Sequence, residues 1–128
     1  MEYTNVLIAT SIIIDYLRKQ NKEKTLFWKV INQSECFIST VTLFELYSGT
    51  KNEEHIKALD TVLSYHKVLE FDTKQAKVAS NIFQSLKAKN KLIEFRDIFI
   101  ASCAIASNIP LATLNKKHFK RIDNLILL

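Results

Sequence analysis

The 128-residue chain contains a single glycine, Gly49, and a single proline, Pro110. A glycine-rich phosphate loop needs several glycines, so the sequence excludes dinucleotide and NTP sites of that kind. An all-β fold is disfavoured too, since its many tight turns require glycine and proline. There is no flexible linker, low-complexity tract or internal repeat. We therefore expect one domain over residues 1–128.

Cysteine and histidine are also scarce. Cys36 and Cys103 lie far apart in apolar stretches and form no C-x-x-C pair, so we interpret them as reduced, buried thiols. The three histidines do not have the spacing of zinc ligands. No nucleophile elbow is present, and Ser11 has no obvious histidine partner, so a serine or cysteine hydrolase is not indicated.

Long hydrophobic runs are missing. The apolar run at residues 6–14 is interrupted by Thr10 and Ser11, is closed by Asp15, and is too short to span a bilayer. It lacks the basic leader and the small-residue cleavage site of a signal peptide. We expect a cytosolic protein with no membrane partner.

Basic residues outnumber acidic ones, 18 to 13, which gives a net charge of +5. They cluster at residues 18–24, 87–91 and 116–121. Each cluster alone is typical of a solvated helix face, but together they are compatible with an anionic partner such as a nucleic acid. A small DNA-binding or scaffold protein is one hypothesis that this charge supports.

Hydrophobic periodicity predicts strands that alternate with helices. The strands are predicted at residues 3–9, 36–39, 67–71 and 110–114, with a last edge strand at 125–128. Helices are predicted at residues 11–20, 25–31, 40–49, 52–65, 73–86 and 97–107, and a turn or short helix is predicted at 115–121. Predicted caps are Ser11 for the first helix, Ser39 or Thr40 for the third, and Asp72 or Thr73 for the fifth.

This alternation indicates an α/β fold with a mostly parallel sheet between two layers of helices. In such sheets a site lies beyond the carboxyl ends of the strands. These ends fall at residues 9–11, 39–40, 71–72 and 113–115.

Two acids stand among apolar residues. Glu45 lies in the segment Thr-Leu-Phe-Glu-Leu-Tyr, and Asp97 begins the most apolar predicted helix. A carboxylate in such surroundings is costly unless it is paired, capped or bound to a metal. Alternatively, Glu45 lies on the wet face of its helix, and Asp97 is a helix N-terminal acid favoured by the dipole.

Four segments resemble the motifs of PIN domains of the VapC type. The first is Val-Leu-Ile-Ala-Thr-Ser at residues 6–11, similar to a strand that ends in Asp-Thr-Ser or Asp-Thr-Asn. The second, at residues 38–49, matches the family's glutamate with Glu45, and the third, at residues 96–102, matches its aspartate with Asp97. The fourth is Thr-Leu-Asn-Lys-Lys-His-Phe at residues 113–119. The motifs occur in the family's order and cover nearly the whole chain.

One position departs from this pattern. The family's first aspartate falls on Ala9, although the residues around Ala9 keep the motif. A single carboxylate-to-methyl change is typical of an engineered inactivation, as used to produce a toxin. A natural loss is the other explanation.

The resemblance implies a three-layer α/β/α PIN-like sandwich and an endoribonuclease toxin that uses Mg²⁺ or Mn²⁺. Asp97 and the missing acid at position 9 would be the chief metal ligands, and Glu45 would bind metal or orient water. Asn115 would position water or phosphate. Outer hydrogen bonds would come from the hydroxyls of Thr10, Ser11 and Thr113. Accessory roles are implied for Glu94, which could join the acidic cluster or be a plain loop acid, and for Arg96, a candidate phosphate contact or surface ion pair.

The family also implies partners. These are a structured RNA substrate of the tRNA or rRNA class, a cognate antitoxin that blocks the site, and a second copy in a homodimer. Apolar surface for association is expected at Leu26, Phe27, Trp28, Phe44 and Tyr47. Because of Ala9, we expect this chain to be catalytically impaired. The alternative function is a non-catalytic PIN-fold module that binds RNA or antitoxin.

Overall fold

The computed structural model describes residues 3–128. The strands are β1 (Asn5–Ile8), β2 (Glu35–Ser39), β3 (His66–Leu69) and β4 (Leu111–Ala112). The helices are α1 (Thr10–Arg18), α2 (Leu26–Ile31), α3 (Thr40–Ser48), α4 (Glu53–Leu63), α5 (Thr73–Ala88), α6 (Phe95–Ala106) and α7 (Lys116–Phe119). A 3-10 turn at Lys22–Lys24 precedes α2.

The four strands form one sheet in the order β3-β2-β1-β4, and all its pairings are parallel. Side chains of β1 alternate between two hydrophobic clusters. Val6 and Ile8 pack with residues of α1, α2, α3 and α4, whereas Leu7 packs with residues of α5 and α6. All three side chains are fully buried, as expected for a central strand covered on both faces. The predicted three-layer α/β/α sandwich with a parallel sheet is confirmed.

Helix α6 forms the centre of one outer layer, as its apolar sequence predicts. Buried residues occur on most of its circumference: Ile98, Ile100, Ala101, Ser102, Cys103 and Ala104. The helix begins at Phe95, however, and not at Asp97. Phe95 and Arg96 are exposed, so hydrophobic periodicity carries no signal there.

The start of α1 also differs from its prediction. Ala9 occupies the cap position, with φ −79° and ψ 161°, and no side chain caps the helix. Ser11 lies inside the helix, and its hydroxyl accepts a hydrogen bond from the distant Leu114 N–H at 3.0 Å. The predicted caps Ser39 and Asp72 are confirmed, because each accepts a hydrogen bond from the first turn of its helix.

The edges of the sheet are shorter than predicted. Strand β3 ends at Leu69 instead of residue 71, and β4 contains only two residues. The expected strand at 125–128 is an isolated parallel bridge between Leu127 and Leu111. Strand β3 has a single partner strand, β2, so its pairing ends sooner than its apolar sequence suggests.

Both cysteines are buried and free, as predicted. Burial raises the pKa of each thiol to about 11. Within residues 3–128, no helix is both long enough and apolar enough to cross a membrane.

Candidate active site

The carboxyl ends of β1 and β4 lie side by side, because the two strands are adjacent and parallel. Ala9 N–H donates to the Ala112 carbonyl at 3.0 Å. The hydroxyls of Ser11 and Thr113, 102 positions apart in the chain, lie 3.4 Å from each other. The first and fourth motifs therefore meet at one edge of the sheet.

Glu45 extends from α3 towards this edge. Its Oε1 accepts a 2.8 Å hydrogen bond from the Thr10 hydroxyl, and its side chain is only 18% exposed. The interpretation of Glu45 as a residue on a wet helix face is therefore wrong. The carboxylate is held between α1 and α3, beside the end of β1.

Asp97 lies in the first turn of α6, and its side chain is 21% exposed. Burial raises the pKa of its carboxyl, and the negative charges of Glu45 and Glu94 raise that pKa further. The positive charges of His118 and Arg96 act in the opposite direction. The helix N-terminal interpretation describes the backbone position correctly. The effect of Glu45 and Glu94 on its pKa shows, in addition, that Asp97 shares one acidic region with these two residues.

Arg96 joins two of these acids. Its Nη1 lies 3.7 Å from Glu45 Oε2, and its Nη2 lies 3.4 Å from Glu94 Oε2. Glu94 is 72% exposed and Arg96 is 51% exposed. Arg96 is therefore a counter-ion at the solvent side of the acidic region, and Glu94 contributes charge without being enclosed.

Asn115 and His118 complete the other side. Asn115 Nδ2 lies 2.9 Å from His118 Nδ1. His118 Nδ1 also lies 4.0 Å from Asp97 Oδ2. The backbone N–H of Asn115 donates to Thr113 Oγ1 at 3.0 Å. His118 has no predicted role at the site, and the structure places it between Asn115 and Asp97. The signal was available in the fourth motif, where Asn and His stand three positions apart at the start of a short helix.

These contacts connect the predicted residues in one closed circuit. It runs from Glu45 through Thr10 and the adjacent Ser11 to Thr113 and Asn115, and returns through His118 and Asp97 to Arg96, which precedes Asp97 in the chain and pairs with Glu45. Ala9 directly precedes Thr10, is 3% exposed, and packs in the core cluster on the side of α6. The segment that follows the carboxyl end of β3 is not part of this circuit, since its Asp72 caps α5.

The donor set at this site is one of hard oxygen atoms. Within the described residues, no three His, Cys, Asp or Glu side chains surround a common metal position. Asp97 and Glu45 are two carboxylates that repel each other, and Asn115 has an amide oxygen. Mg²⁺ is commonly held by one or two carboxylates and several waters. The residues present therefore fit a hard divalent cation, although with fewer charges than an aspartate at position 9 would provide.

Comparison with known proteins shows which family has this arrangement. The chain matches the PIN domain family over residues 6–125. It is 31% identical over 121 residues to ribonuclease VapC1 of Methanocaldococcus jannaschii, covering 94% of this chain and 83% of that relative. It is 38% identical over 98 residues to ribonuclease VapC3 of the same organism, covering 77% and 96%.

Solved structures show the same likeness in three dimensions. VapBC2 from Rickettsia felis, solved with a DNA fragment from its promoter, contains a chain with TM-score 0.84 and 27% identity, covering 98% of both chains. VapBC-1 from nontypeable Haemophilus influenzae contains one with TM-score 0.85 and 25% identity, covering 98% and 97%. The matched region spans every element of the site described above, and the chain belongs to the PIN domain family.

Proposed function

We propose that the chain is a VapC-type toxin whose parent form is a Mg²⁺- or Mn²⁺-dependent endoribonuclease. The chain as it stands has weak or no activity because of Ala9. The observation that carries the proposal is the convergence of Glu45, Asp97 and Asn115 on one edge of the sheet. These residues are far apart in the sequence, so the fold is what brings them together.

Each residue has a proposed role in this site. Asp97 and Glu45 hold the cation, and an aspartate at position 9 is the third acid that this chain lacks. A bound Mg²⁺ or Mn²⁺ supplies Lewis-acid polarisation of the phosphodiester and a lowered pKa for coordinated water. Asn115 positions water or phosphate, while the Thr10 hydroxyl fixes one oxygen of Glu45.

Outer contacts keep this arrangement rigid. The Ser11 hydroxyl accepts from Leu114 N–H at 3.0 Å, which ties the start of α1 to the segment after β4. Thr113 Oγ1 accepts from Asn115 N–H and so fixes the backbone of Asn115. Preorganisation of this kind is needed because an ångström of misplacement is costly in a catalytic site.

The proposed substrate is a structured RNA of the tRNA or rRNA class. Basic residues Lys116, Lys117, Lys120 and Arg121 lie on or beside α7, next to Asn115 and His118. Positive charge there attracts the phosphate backbone without specifying its sequence. The cytosol is the proposed location.

A cognate antitoxin and a second copy of the chain are the proposed partners. The similar solved chains come from VapBC complexes. Three of the predicted surface residues are exposed by more than a third: Trp28 39%, Phe44 64% and Tyr47 43%. Phe27, by contrast, is 2% exposed, so its prediction as surface was wrong, and it belongs to the core. Helix α2 turns Phe27 inward and Trp28 outward.

A second candidate is a non-catalytic PIN module that keeps RNA or antitoxin binding. Ala9 favours it, since the site has one acid fewer than the parent pattern. The DNA-binding or scaffold hypothesis gives no reason for two repelling carboxylates to share one region, and the structure disfavours it.

The test is RNA cleavage by this chain, by Ala9→Asp and by Ala9→Asn, on total cellular RNA with Mg²⁺ or Mn²⁺. We expect Ala9→Asp to gain about 10²–10⁴ in rate over the other two, because a metal site supplies several kcal/mol of transition-state stabilisation. Induced expression of Ala9→Asp should also arrest growth. Equal cleavage by this chain and Ala9→Asp would show that position 9 is no ligand. Absence of cleavage in Ala9→Asp would favour the non-catalytic module.

A further inference from the structure

Arg96 is the cation that lies nearest to the acids of the site. Its guanidinium pairs with Glu45 Oε2 and Glu94 Oε2, at 3.7 Å and 3.4 Å. Its charge also lowers the pKa of the neighbouring Asp97 carboxyl. One side chain thus balances the negative charges of three acids.

The two oxygens of Glu45 differ in their partners. Oε1 is fixed by the Thr10 hydroxyl at 2.8 Å, whereas the partner of Oε2 in the described part of the chain is the Arg96 guanidinium, at the longer distance of 3.7 Å. A cation that approaches Glu45 from solvent therefore meets Oε2 and must compete with the positive charge of Arg96. The ion pair is long and its arginine is half exposed, so a divalent cation can displace Arg96 from Glu45.

Arg96 is also free to take another partner. Its side chain is 51% exposed and belongs to the first turn of α6, one position before Asp97. A guanidinium presents five donors in a planar fork that matches phosphate oxygens, and charge-assisted pairs with phosphate are strong. An RNA phosphate delivered to Asp97 would lie within reach of this side chain.

We propose that Arg96 is a positioning residue that exchanges partners. In the free protein it is the counter-ion of Glu45 and Glu94, and in the RNA complex it moves to a phosphodiester oxygen and releases Glu45 Oε2. The inference rests on the proposed function. Its consequence is that RNA and the divalent cation bind with positive cooperativity. Each ligand separates Arg96 from Glu45, so the second ligand no longer has to break that ion pair.

The experiment measures Mn²⁺ affinity by calorimetry, with and without a short mixed-sequence RNA oligonucleotide. It uses this chain and the Ala9→Asp form, each with and without Arg96→Gln. Free phosphate replaces RNA in one arm, to separate a phosphodiester from an inorganic anion. Lys67→Gln is the control, since it removes one positive charge from an exposed ion pair with Glu35 that lies outside the basic clusters. Thermal unfolding checks that each variant is folded.

Without RNA, Arg96→Gln should tighten Mn²⁺ binding about two- to fivefold, as expected for loss of one partly exposed ion pair. Lys67→Gln should leave Mn²⁺ binding unchanged. RNA should tighten Mn²⁺ binding in the unmodified chain, and this gain should disappear in Arg96→Gln together with part of the RNA affinity. A purely structural role for Arg96 would weaken metal binding or leave it unchanged.

The possible failures are distinguishable. If Mn²⁺ binds to the Ala9→Asp form and Arg96→Gln does not change its affinity, the proposed exchange of partners by Arg96 is overturned and the proposed function stands. If Arg96→Gln tightens Mn²⁺ binding but RNA still adds its full gain, the exchange is likewise overturned. If neither form binds Mn²⁺, the metal-dependent function falls, and this inference falls with it.

Discussion

The Thr10 hydroxyl donates a 2.8 Å hydrogen bond to Glu45 Oε1 across 35 positions of sequence. This bond connects the first residue of α1 to the middle of α3 and fixes which oxygen of Glu45 remains available. A threonine inside the first motif is therefore part of the geometry of the second.

Removal of that hydroxyl gives the first prediction. Thr10→Val should lower the free energy of unfolding by about 1 kcal/mol, since it leaves a mostly buried carboxylate with one partner fewer. Thr10→Ser keeps the hydroxyl and is the control. Urea unfolding measures both. In the Ala9→Asp background, Thr10→Val should also lower RNA cleavage more than Thr10→Ser does, and equal effects of the two variants would contradict this role of Thr10.

Position 9 is the cap of α1 and directly precedes Thr10, whose hydroxyl binds Glu45, which gives the second prediction. Asparagine and aspartate cap a helix equally well, at about 0.5–2 kcal/mol better than alanine. Only aspartate adds a negative charge beside Asp97 and Glu45. Without metal, Ala9→Asp should therefore unfold at a lower temperature than Ala9→Asn.

Mn²⁺ should reverse that order, since a ligand that binds only the folded state stabilises it. Calorimetric melting of both variants, with and without Mn²⁺, measures this. If Ala9→Asp melts above Ala9→Asn in the absence of metal, position 9 is not repelled by the acidic region.

The third prediction concerns His66 on β3. Its Nδ1 lies 3.1 Å from the Val62 carbonyl, and its ring stacks on Phe27. Its Nε2 is buried and has no hydrogen-bond partner among residues 3–128. Burial lowers the pKa of His66 below 6.5, and hydrogen bonds with Val62 and Leu63 only partly oppose this. Below pH 6.5 the unfolded chain therefore binds a proton that the folded chain resists.

The stability that His66 provides is thus complete above pH 6.5 and is lost as the pH falls from there towards its folded pKa. Urea unfolding between about pH 7.5 and 5.5 should show this loss, and His66→Leu should flatten it. His55→Gln, at an exposed position, is the control. An unchanged pH profile in His66→Leu would assign the loss to other groups.

The fourth prediction concerns the exposed aromatic residues. Trp28→Ser and Phe44→Ser together should leave the fold intact, because both side chains are more than a third exposed. They should weaken the proposed homodimer or the proposed antitoxin complex, since exposed aromatic side chains contribute most to binding when a partner covers them. Tyr65→Ser, at a residue that is 60% exposed, is the control. Sedimentation velocity measures the chain alone and with antitoxin, and unchanged association in both would exclude this surface.

The sequence alone determined the order of strands and helices, the parallel sheet and the edge where the motifs would meet. It could do so because buried strands and amphipathic helices have different hydrophobic periods, and because acids such as Glu45 stand out among apolar neighbours. Parallel pairing then brings the carboxyl ends of β1 and β4 together whatever the side chains are.

Tertiary structure alone decided the contacts between distant residues. It placed Ala9 at the cap in place of Ser11, turned Phe27 inward, set His118 between Asn115 and Asp97, and aimed Arg96 at Glu45. Periodicity assigns a residue to a face, but a hydrogen bond or ion pair requires two side chains within about 3–4 Å. That distance depends on how α1, α3, α6 and α7 pack around the sheet, so local sequence does not contain it.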